Sequence, residues 1–283
     1  RIAAANQTIA DNPGIIPTPI LGQLITYLAE DRPVMSSGRS MAMPSAGATF
    51  VRPRVTQHTQ VGKQAKELDV LASQTLKTEP VTVTKGTYGG TLKVSFQDAA
   101  WSTPSIMQAV MEDLAKEYAM QTESVAAAVL VGGVTASVSL KASYTPADLI
   151  KAVADAATTV YASSYRTPDT IWLSPDKWAE WSAVCDSTGR PLFPHIGAMN
   201  AAGTASATSM SLPVQGLSSV VSYGLPKGTV IIGKREAFEV YETLGGALSL
   251  VNVTTLSTDV AFYGYVGNLV AYPGAFCKIT AAA

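Results

Sequence analysis

The chain offers few side chains for nucleophilic or acid–base chemistry. Its only histidines are His58 and His195, and its only cysteines are Cys185 and Cys277. A hydrolase needs a nucleophile within hydrogen-bond reach of its base, and Cys185 with His195 is the pair that a loop could bring together. Neither residue lies in a nucleophile-elbow motif. We therefore predict no catalytic residues and no enzyme activity, and we keep a soluble hydrolase using Cys185 and His195 as the alternative from another class.

One segment imitates a phosphate-binding loop. Residues 228–235 read GTVIIGKR and have the glycine and lysine spacing of that loop. Arg235 stands where a Ser or Thr must contact Mg²⁺, and Thr229 to Ile232 is typical of a buried strand. The histidines and cysteines also match no zinc-ligand spacing. The sequence thus predicts no cofactor and no metal site.

Composition excludes two further classes of function. Of 283 residues only 14% are charged, 47% are hydrophobic, and the net charge is −1. A chain this close to neutral lacks the basic surface that binding to nucleic acid requires. The longest stretch without charged or strongly polar side chains, Val125 to Val134, is about half the length that crosses a bilayer. We expect neither a sequence-specific nucleic-acid ligand nor a membrane.

The first hundred residues look like appendages. Five prolines divide residues 1–49, which we interpret as an extended arm with one short helix, about Ile20 to Glu30. Alternating apolar residues in 50–97, around the glycine-rich stretch Gly86 to Gly90, predict a long β-hairpin that turns there. Arm and hairpin have little core of their own, so they must bury apolar residues on other copies. This pattern indicates an assembly subunit.

The rest of the chain predicts helices and strands that are segregated, as in an α+β fold. Ser or Thr followed by Pro marks three helix starts, which are Thr103-Pro104, Thr145-Pro146 and Ser174-Pro175. The first helix runs to about Val131 and the second to about Ala162. The predicted strands are Thr170 to Leu173, Thr229 to Ile232, Phe238 to Thr243, Leu248 to Thr254, Val260 to Val266 and Phe276 to Thr280. Gly197 to Gly216, without any charge, is predicted to order only on assembly.

The order of these parts resembles the major capsid proteins of tailed bacteriophages, which have the Hong Kong 97-type fold. In that family an N-terminal arm precedes an extended hairpin (the E-loop), a long spine helix in a peripheral domain, and an axial domain at the capsomer centre. The matching segments are residues 12–20, 50–97, 104–131, 191–194, 262–266 and 273–275.

The resemblance implies both a domain division and a function. The domains would be an arm (1–32), a hairpin (50–96), a peripheral domain (33–49, 97–140 and 237–263) and an axial domain (141–236 and 264–283). Copies would form hexameric and pentameric capsomers of an icosahedral shell around double-stranded DNA, in a virion assembled in the host bacterial cytoplasm. Portal and decoration proteins would be further partners. An encapsulin-like nanocompartment shell shares the fold and is the second structural reading.

The family also suggests processing and contacts. Arg1 in place of Met is expected to follow removal of a scaffolding segment by a protease. Residues 50–97 carry a net charge of +4 and residues 98–140 a net charge of −4, so we expect the hairpin to dock on a neighbour's spine helix. The predicted contact residues are Arg52, Arg54, Lys63, Lys66, Lys77, Lys85, Glu112, Asp113, Glu117 and Glu123. Some members of the family cross-link a hairpin Lys to an Asn, for which Asn252 and Asn268 would be the acceptors.

Overall fold

Two β-sheets carry the fold, and helices pack against both. The computed structural model describes residues 31–102, 106–193, 210, 212 and 214–281. The helices are α1 (Pro33–Ser37), α2 (Phe96–Trp101), α3 (Ile106–Gly133), α4 (Pro146–Ser164) and α5 (Pro175–Ser182). The strands are β1 (Arg39–Met41), β2 (Thr49–Gln57), β3 (Lys77–Thr84), β4 (Gly86–Ser95), β5 (Ala136–Leu140), β6 (Thr170–Leu173), β7 (Ser218–Val221), β8 (Val230–Gly233), β9 (Phe238–Asn252), β10 (Ser257–Val270) and β11 (Phe276–Ala281).

The first sheet has four strands in the order β1-β9-β10-β4, and α3 covers one of its faces. The ring of Tyr118 meets the ring of Phe262 edge-on, with centroids 5.4 Å apart. Gly264 lies directly under the Tyr118 hydroxyl, where any Cβ would overlap it, so only glycine allows helix and strand to approach this closely. The 28-residue helix α3 therefore packs closely on this face of the sheet.

The second sheet has five strands in the order β5-β11-β8-β6-β7. Its central strands β6 and β8 are buried at every position, which explains their unbroken apolar sequences. One face packs on α4, while Trp172, Ile231 and Phe276 point to the other side and join the core around α3. The helix α3 thus contacts both sheets and connects them.

Several predicted elements are confirmed. The strand Thr170–Leu173 has the predicted bounds, and α4 begins at Pro146. The Thr145 hydroxyl accepts a hydrogen bond from Asp148 N (3.2 Å), and the Asp148 carboxylate accepts one from Thr145 N (3.0 Å), which is a capping box. The GTVIIGKR segment forms the buried strand β8 and not a phosphate loop.

The predicted hairpin turn is wrong. Gly86 to Gly90 does not turn but begins the continuous strand β4, which pairs with β10 from Gly86 opposite Val266 to Ser95 opposite Ser257. The hairpin consists instead of β2 and β3. Glycines are used in β4 because the Cβ of Tyr263 and the side chain of Leu114 approach Gly89 and Gly90 closely. The two strands predicted over 238–254 are likewise one strand, β9.

Some predicted features lie in parts of the chain that the structure does not describe. The helix Ile20 to Glu30, His195 and most of Gly197 to Gly216 lie outside the described residues. Trp172 and Trp181 are buried in the core, whereas Trp101 is exposed. Among the helices described, none combines the length and apolar character that a membrane span requires.

The prediction that Glu123 of α3 contacts a neighbouring subunit is wrong. Its side chain is completely buried. The carboxylate accepts hydrogen bonds from the backbone N–H of Val34 (2.8 Å) and Met35 (3.1 Å), and from the Ser222 hydroxyl (2.5 Å). A buried carboxylate persists only when such donors replace its water. Glu123 therefore ties α1, α3 and the loop after β7 together within one subunit.

We expect Glu123→Ala to lower the free energy of unfolding by about 3 kcal/mol or more, because three buried donors lose their acceptor. Glu123→Gln keeps one acceptor oxygen and should cost about 1–3 kcal/mol. The control is Glu112→Ala on the exposed part of the same helix, with an expected effect within about 0.5 kcal/mol. Urea unfolding of the unassembled subunit measures all three. A loss for Glu123→Ala as small as that for Glu112→Ala would contradict the assigned role.

Candidate inter-subunit surfaces

The base of the hairpin is held on the face of the four-stranded sheet that α3 leaves open. The ring of Phe50 packs on Tyr241 at a centroid distance of 4.7 Å. Arg52 donates two hydrogen bonds to the Glu239 carboxylate, at 3.0 and 2.8 Å, and the Tyr241 hydroxyl donates a third at 2.6 Å. These contacts cover the half of this face nearest the start of β9.

These groups change each other's pKa. Burial alone would raise the pKa of Glu239, but the hydrogen bonds from Arg52 and Tyr241 outweigh it and leave the pKa below its ordinary value. Burial first, and then the hydrogen bond to Glu239, raise the pKa of Tyr241 to about 12. At neutral pH the hairpin base is therefore fixed by a carboxylate that is ionised and fully paired.

Beyond its base, the hairpin ends in a long loop, residues 58–76, which we call the hairpin loop. The side chains of Val61, Leu68 and Val70 are 95%, 99% and 96% exposed, and those of Leu71 and Leu76 are more than half exposed. At such exposure these large apolar side chains have almost no packing contact with the described part of the chain. The hairpin loop is therefore a candidate contact with another molecule.

A second apolar surface lies on the four-stranded sheet. Residues directly opposite each other in antiparallel strands lie on the same face of a sheet. Two rows across β4, β10 and β9 therefore continue the face that carries the hairpin base. These rows are Lys93, Asp259 and Leu250, and Thr91, Ala261 and Leu248. We call its uncovered half the open sheet face, with the residues Leu248, Leu250, Ala261, Tyr263 and Tyr265. Leu248 and Leu250 are 55% and 69% exposed.

The basic residues predicted to contact a neighbour divide into two groups. Arg52 pairs with Glu239, Arg54 pairs with Glu79, and Lys85 donates to the carbonyls of Pro44 and Ala46. These three are thus engaged within their own subunit. The remaining predicted residues, Lys63, Lys66 and Lys77, lie exposed on the hairpin.

The predicted acidic residues divide in the same way. Glu112, Asp113 and Glu117 are exposed on α3, and Glu112 accepts a hydrogen bond from Gln108. Glu123 is buried, and its carboxylate accepts the three hydrogen bonds described under the fold. Helical spacing could have predicted that Glu123 is buried. Residues three, four and seven positions further along a helix lie on the same side, and Ala126, Ala127 and Leu130 are buried.

One polar group was not anticipated. Arg32 donates to both oxygens of Glu242, at 2.7 and 3.0 Å, and the Tyr118 hydroxyl donates to the same carboxylate at 3.0 Å. The hydrogen bond to Glu242 raises the pKa of Arg32, and burial raises the pKa of Tyr118. No sequence signal marks these partners, which are up to 210 positions apart. They fix Arg32, near the start of the described residues, to α3 and to the four-stranded sheet.

The described residues bring together no catalytic or metal-binding group. Cys185 is exposed, and its thiol lies 3.6 Å from the carbonyl oxygen of Ala183. Cys277 is buried, which raises the pKa of its thiol. Within the described ranges, no three His, Cys, Asp or Glu side chains cluster in a way that would hold a metal ion.

We expect Arg52→Ala to raise the pKa of Glu239, because burial remains while the cation is removed. With Arg52 present, the contacts of Glu239 stabilise the fold fully above the ordinary glutamic acid pKa of about 4.3, and are lost as the pH falls through the lowered pKa. The variant should lose part of that acid dependence. An NMR titration of the Glu239 carboxyl group tests this, with Arg54→Ala as the control because Arg54 pairs with Glu79. An unchanged pKa in Arg52→Ala would show that the ion pair does not govern Glu239.

Comparison with known proteins agrees with this geometry. The family model described as phage capsid protein matches residues 78–279. The structure is similar to the capsid of a native GTA particle, with a TM-score of 0.76, 15% identity and coverage of 99% of this chain and 100% of the other. It is also similar to a structure from Gordonia phage Cozz (TM-score 0.73, 17% identity, 99% and 97% covered) and to one from Microbacterium phage Oxtober96 (0.72, 13%, 98% and 100%). No curated protein sequence matches the chain.

The family match spans more than two thirds of the chain, and the structural neighbours share its Hong Kong 97-type α+β fold over nearly the full length of both partners. The matched region contains α3, the strands β4 to β10, and nearly all of β3 and β11. The chain belongs to the phage capsid protein family and is a subunit of a phage capsid shell.

Proposed function

We propose that copies of this chain form the hexameric and pentameric capsomers of an icosahedral head that encloses the double-stranded DNA of a tailed phage. The observation that carries the proposal is the hairpin loop, whose large apolar side chains are almost fully exposed in the single subunit. Such exposure is a liability for a monomer and is expected of a surface that copies bury on one another. The net charge of −1 fits a protein that encloses DNA and does not bind it.

Four finer parts of the proposal rest on the family resemblance. They are removal of an upstream scaffolding segment by a protease, contact with a portal, contact with decoration proteins, and assembly in the host cytoplasm. We also propose that the protein has no enzyme activity, since the hairpin loop and the open sheet face are apolar and exposed.

We also propose that the two sheets mark the two domains. The four-stranded sheet with α3 would be the peripheral domain, and the five-stranded sheet with α4 and α5 the axial domain. Sheet membership supports moving residues 86–95 and 264–270 to the peripheral domain and residues 136–140 to the axial domain.

The opposite charges of hairpin and spine helix are proposed to orient subunits as they meet. Lys63, Lys66 and Lys77 are the predicted basic residues that lie exposed on the hairpin. Glu112, Asp113 and Glu117 lie exposed on α3. Exposed pairs contribute only about 0.2–1 kcal/mol each, so these charges set encounter rate and orientation more than affinity.

Purified chain under assembly conditions should form closed shells that negative-stain electron microscopy detects. A phage head predicts shells that the purified subunit forms without added protein cargo. Shells that form only around co-purified cargo protein would favour the encapsulin-like alternative. Isolated small particles whose Cys185 thiol is rapidly labelled would contradict the proposal and favour the hydrolase.

Charge reversal at Glu112→Lys, Asp113→Lys and Glu117→Lys should slow shell formation about ten-fold at low salt while leaving the subunit folded. The reason is that electrostatic attraction governs encounter and is screened at high salt. Light scattering at two ionic strengths measures the rate. The control reverses Asp155→Lys on α4 and the exposed Glu236→Lys, both outside the spine helix and outside the capping box. An unchanged rate and salt dependence in the triple variant would remove the steering role.

A further inference from the structure

Two grooves flank the short helix α1, and Asp31 lines both of them. We call one the β7 groove, because all four residues of β7 line it, and its volume is about 670 Å³. We call the other the β1 groove, because Ser40 of β1 lines it, and its volume is about 590 Å³. The described part of the chain therefore begins at a point from which either groove is within reach.

The β7 groove follows an open edge of the five-stranded sheet. Among the described strands, β7 pairs only with β6. The N–H of Ser218 points towards the β6 side, where it donates to the carbonyl of Asp169 at 2.9 Å. Because successive N–H groups of a strand alternate in direction, those of Ser219 and Val221 point to the open edge. Proteins commonly cover such an edge with a helix or a loop.

The two grooves differ in polarity. The apolar residues that line the β7 groove are Pro33, Pro175, Met210, Val220, Val221 and Tyr223. Two of them, Met210 and Tyr223, are exposed. In the β1 groove, Arg32 and Glu242 form an ion pair at 2.7 Å. An apolar occupant therefore gains more from burial in the β7 groove than in the β1 groove.

The segment that precedes Asp31 lies outside the described residues, and its sequence has the pattern of an amphipathic helix. Thr18-Pro19 repeats the start signal that marks α4. Four apolar residues then follow at the spacing that places them on one side of a helix, and these are Leu21, Leu24, Ile25 and Leu28. Pro33 disfavours a helical conformation at Arg32, so this helix must end before α1 begins.

The position of Asp31 favours the groove of the same subunit. Its carbonyl accepts a hydrogen bond from the Tyr223 hydroxyl at 3.3 Å, and both residues line the β7 groove. A helix that ends at Glu30 therefore needs no linker to reach this groove. An intramolecular contact of this kind has a high effective concentration, whereas a segment from another copy must first find the subunit.

We propose that residues 19–30 form an amphipathic helix that occupies the β7 groove of its own subunit. The four apolar residues named above supply the face that fills the groove and covers the open edge of β7. Arg235 is the basic residue that lines this groove. It provides a cation for Glu30 and for the carbonyl groups at the C-terminal end of the helix.

The proposed helix limits the part of the arm that other copies receive. Residues 1–18 remain for contacts between subunits, and at about 3.3–3.6 Å per residue they span at most about 60–65 Å. The helix also keeps the edge of β7 from pairing with a strand of another chain before assembly. Its contacts lie within one subunit, so they go beyond the proposed function and do not depend on shell formation.

Hydrogen exchange followed by mass spectrometry tests the helix in the unassembled chain of 283 residues. We expect the amides of residues 22–30 to exchange at least ten-fold more slowly than those of residues 2–11, because hydrogen-bonded and buried N–H groups are protected. Equal rates in the two segments, or slow exchange of residues 22–30 only in shells, would overturn the proposed seat.

Groove variants test where the helix binds. Tyr223→Ser with Met210→Glu should speed exchange in the proposed helix at least ten-fold. The control, Tyr272→Ser with Ser40→Glu, should change it less than two-fold. Tyr272 matches Tyr223 because it is exposed and its hydroxyl also donates to a backbone carbonyl, at 3.1 Å, while Ser40→Glu places the new carboxylate in the β1 groove. Equal effects of the two double variants, or no effect of the first, would contradict the β7 groove as the seat. Circular dichroism establishes that both remain folded.

A second measurement locates the helix by proximity. The chain with Leu24→Cys and Met210→Cys, in a Cys185→Ser background, is treated at low concentration with bismaleimidoethane, which adds one thiol to each of its two double bonds. The chain with Leu24→Cys and Ser40→Cys is the matched alternative. We expect at least ten-fold more cross-linking within single chains for the first pair. Preference for the second pair, equal yields, no cross-linking, or products that join two chains would each overturn the proposed seat.

Discussion

The buried Glu123 carboxylate is the interaction on which the arrangement of this subunit depends. It lies on α3, whose buried residues join a core shared by both sheets, and its hydrogen bonds reach α1 on one side and Ser222, just after β7, on the other. Removing a carboxylate from water costs several kcal/mol, which only a full set of donors offsets. The cost makes the arrangement specific, because a shifted α3 would leave a buried charge without partners. The two sheets therefore keep one relative position.

Paired polar groups also determine the position of the hairpin. Its base is held by Phe50 on Tyr241 and by Arg52 on Glu239, all buried or half-buried in the subunit. The hairpin loop beyond it has no such contacts. A loop carried on a fixed base loses less freedom when it binds than a free segment does. Polar pairs thus position the hairpin, and apolar side chains are left to make the contact.

Local signals predicted elements well, and distant pairings could not be predicted. Caps such as Thr145-Pro146 mark α4 because the signal lies within one helical turn. Gly86 to Gly90 fits a turn as well as a strand, and the choice depends on residues 262–266, which lie more than 170 positions away. Arg52 and Glu239 are separated in the same way. Counting charge by segment could not show which charges are already paired within the subunit, as Arg52 is with Glu239.

The low charged fraction follows from the way these surfaces are used. A monomer with 14% charged residues would have to leave much apolar surface in water. In the shell that we propose, the hairpin loop is covered where subunits meet. Each contact can be weak, because closure multiplies it over many copies, and weak contacts allow misplaced subunits to leave before the shell closes. An apolar loop with balanced charges meets that requirement: it gains from burial, while no strong ion pair holds a wrong neighbour in place.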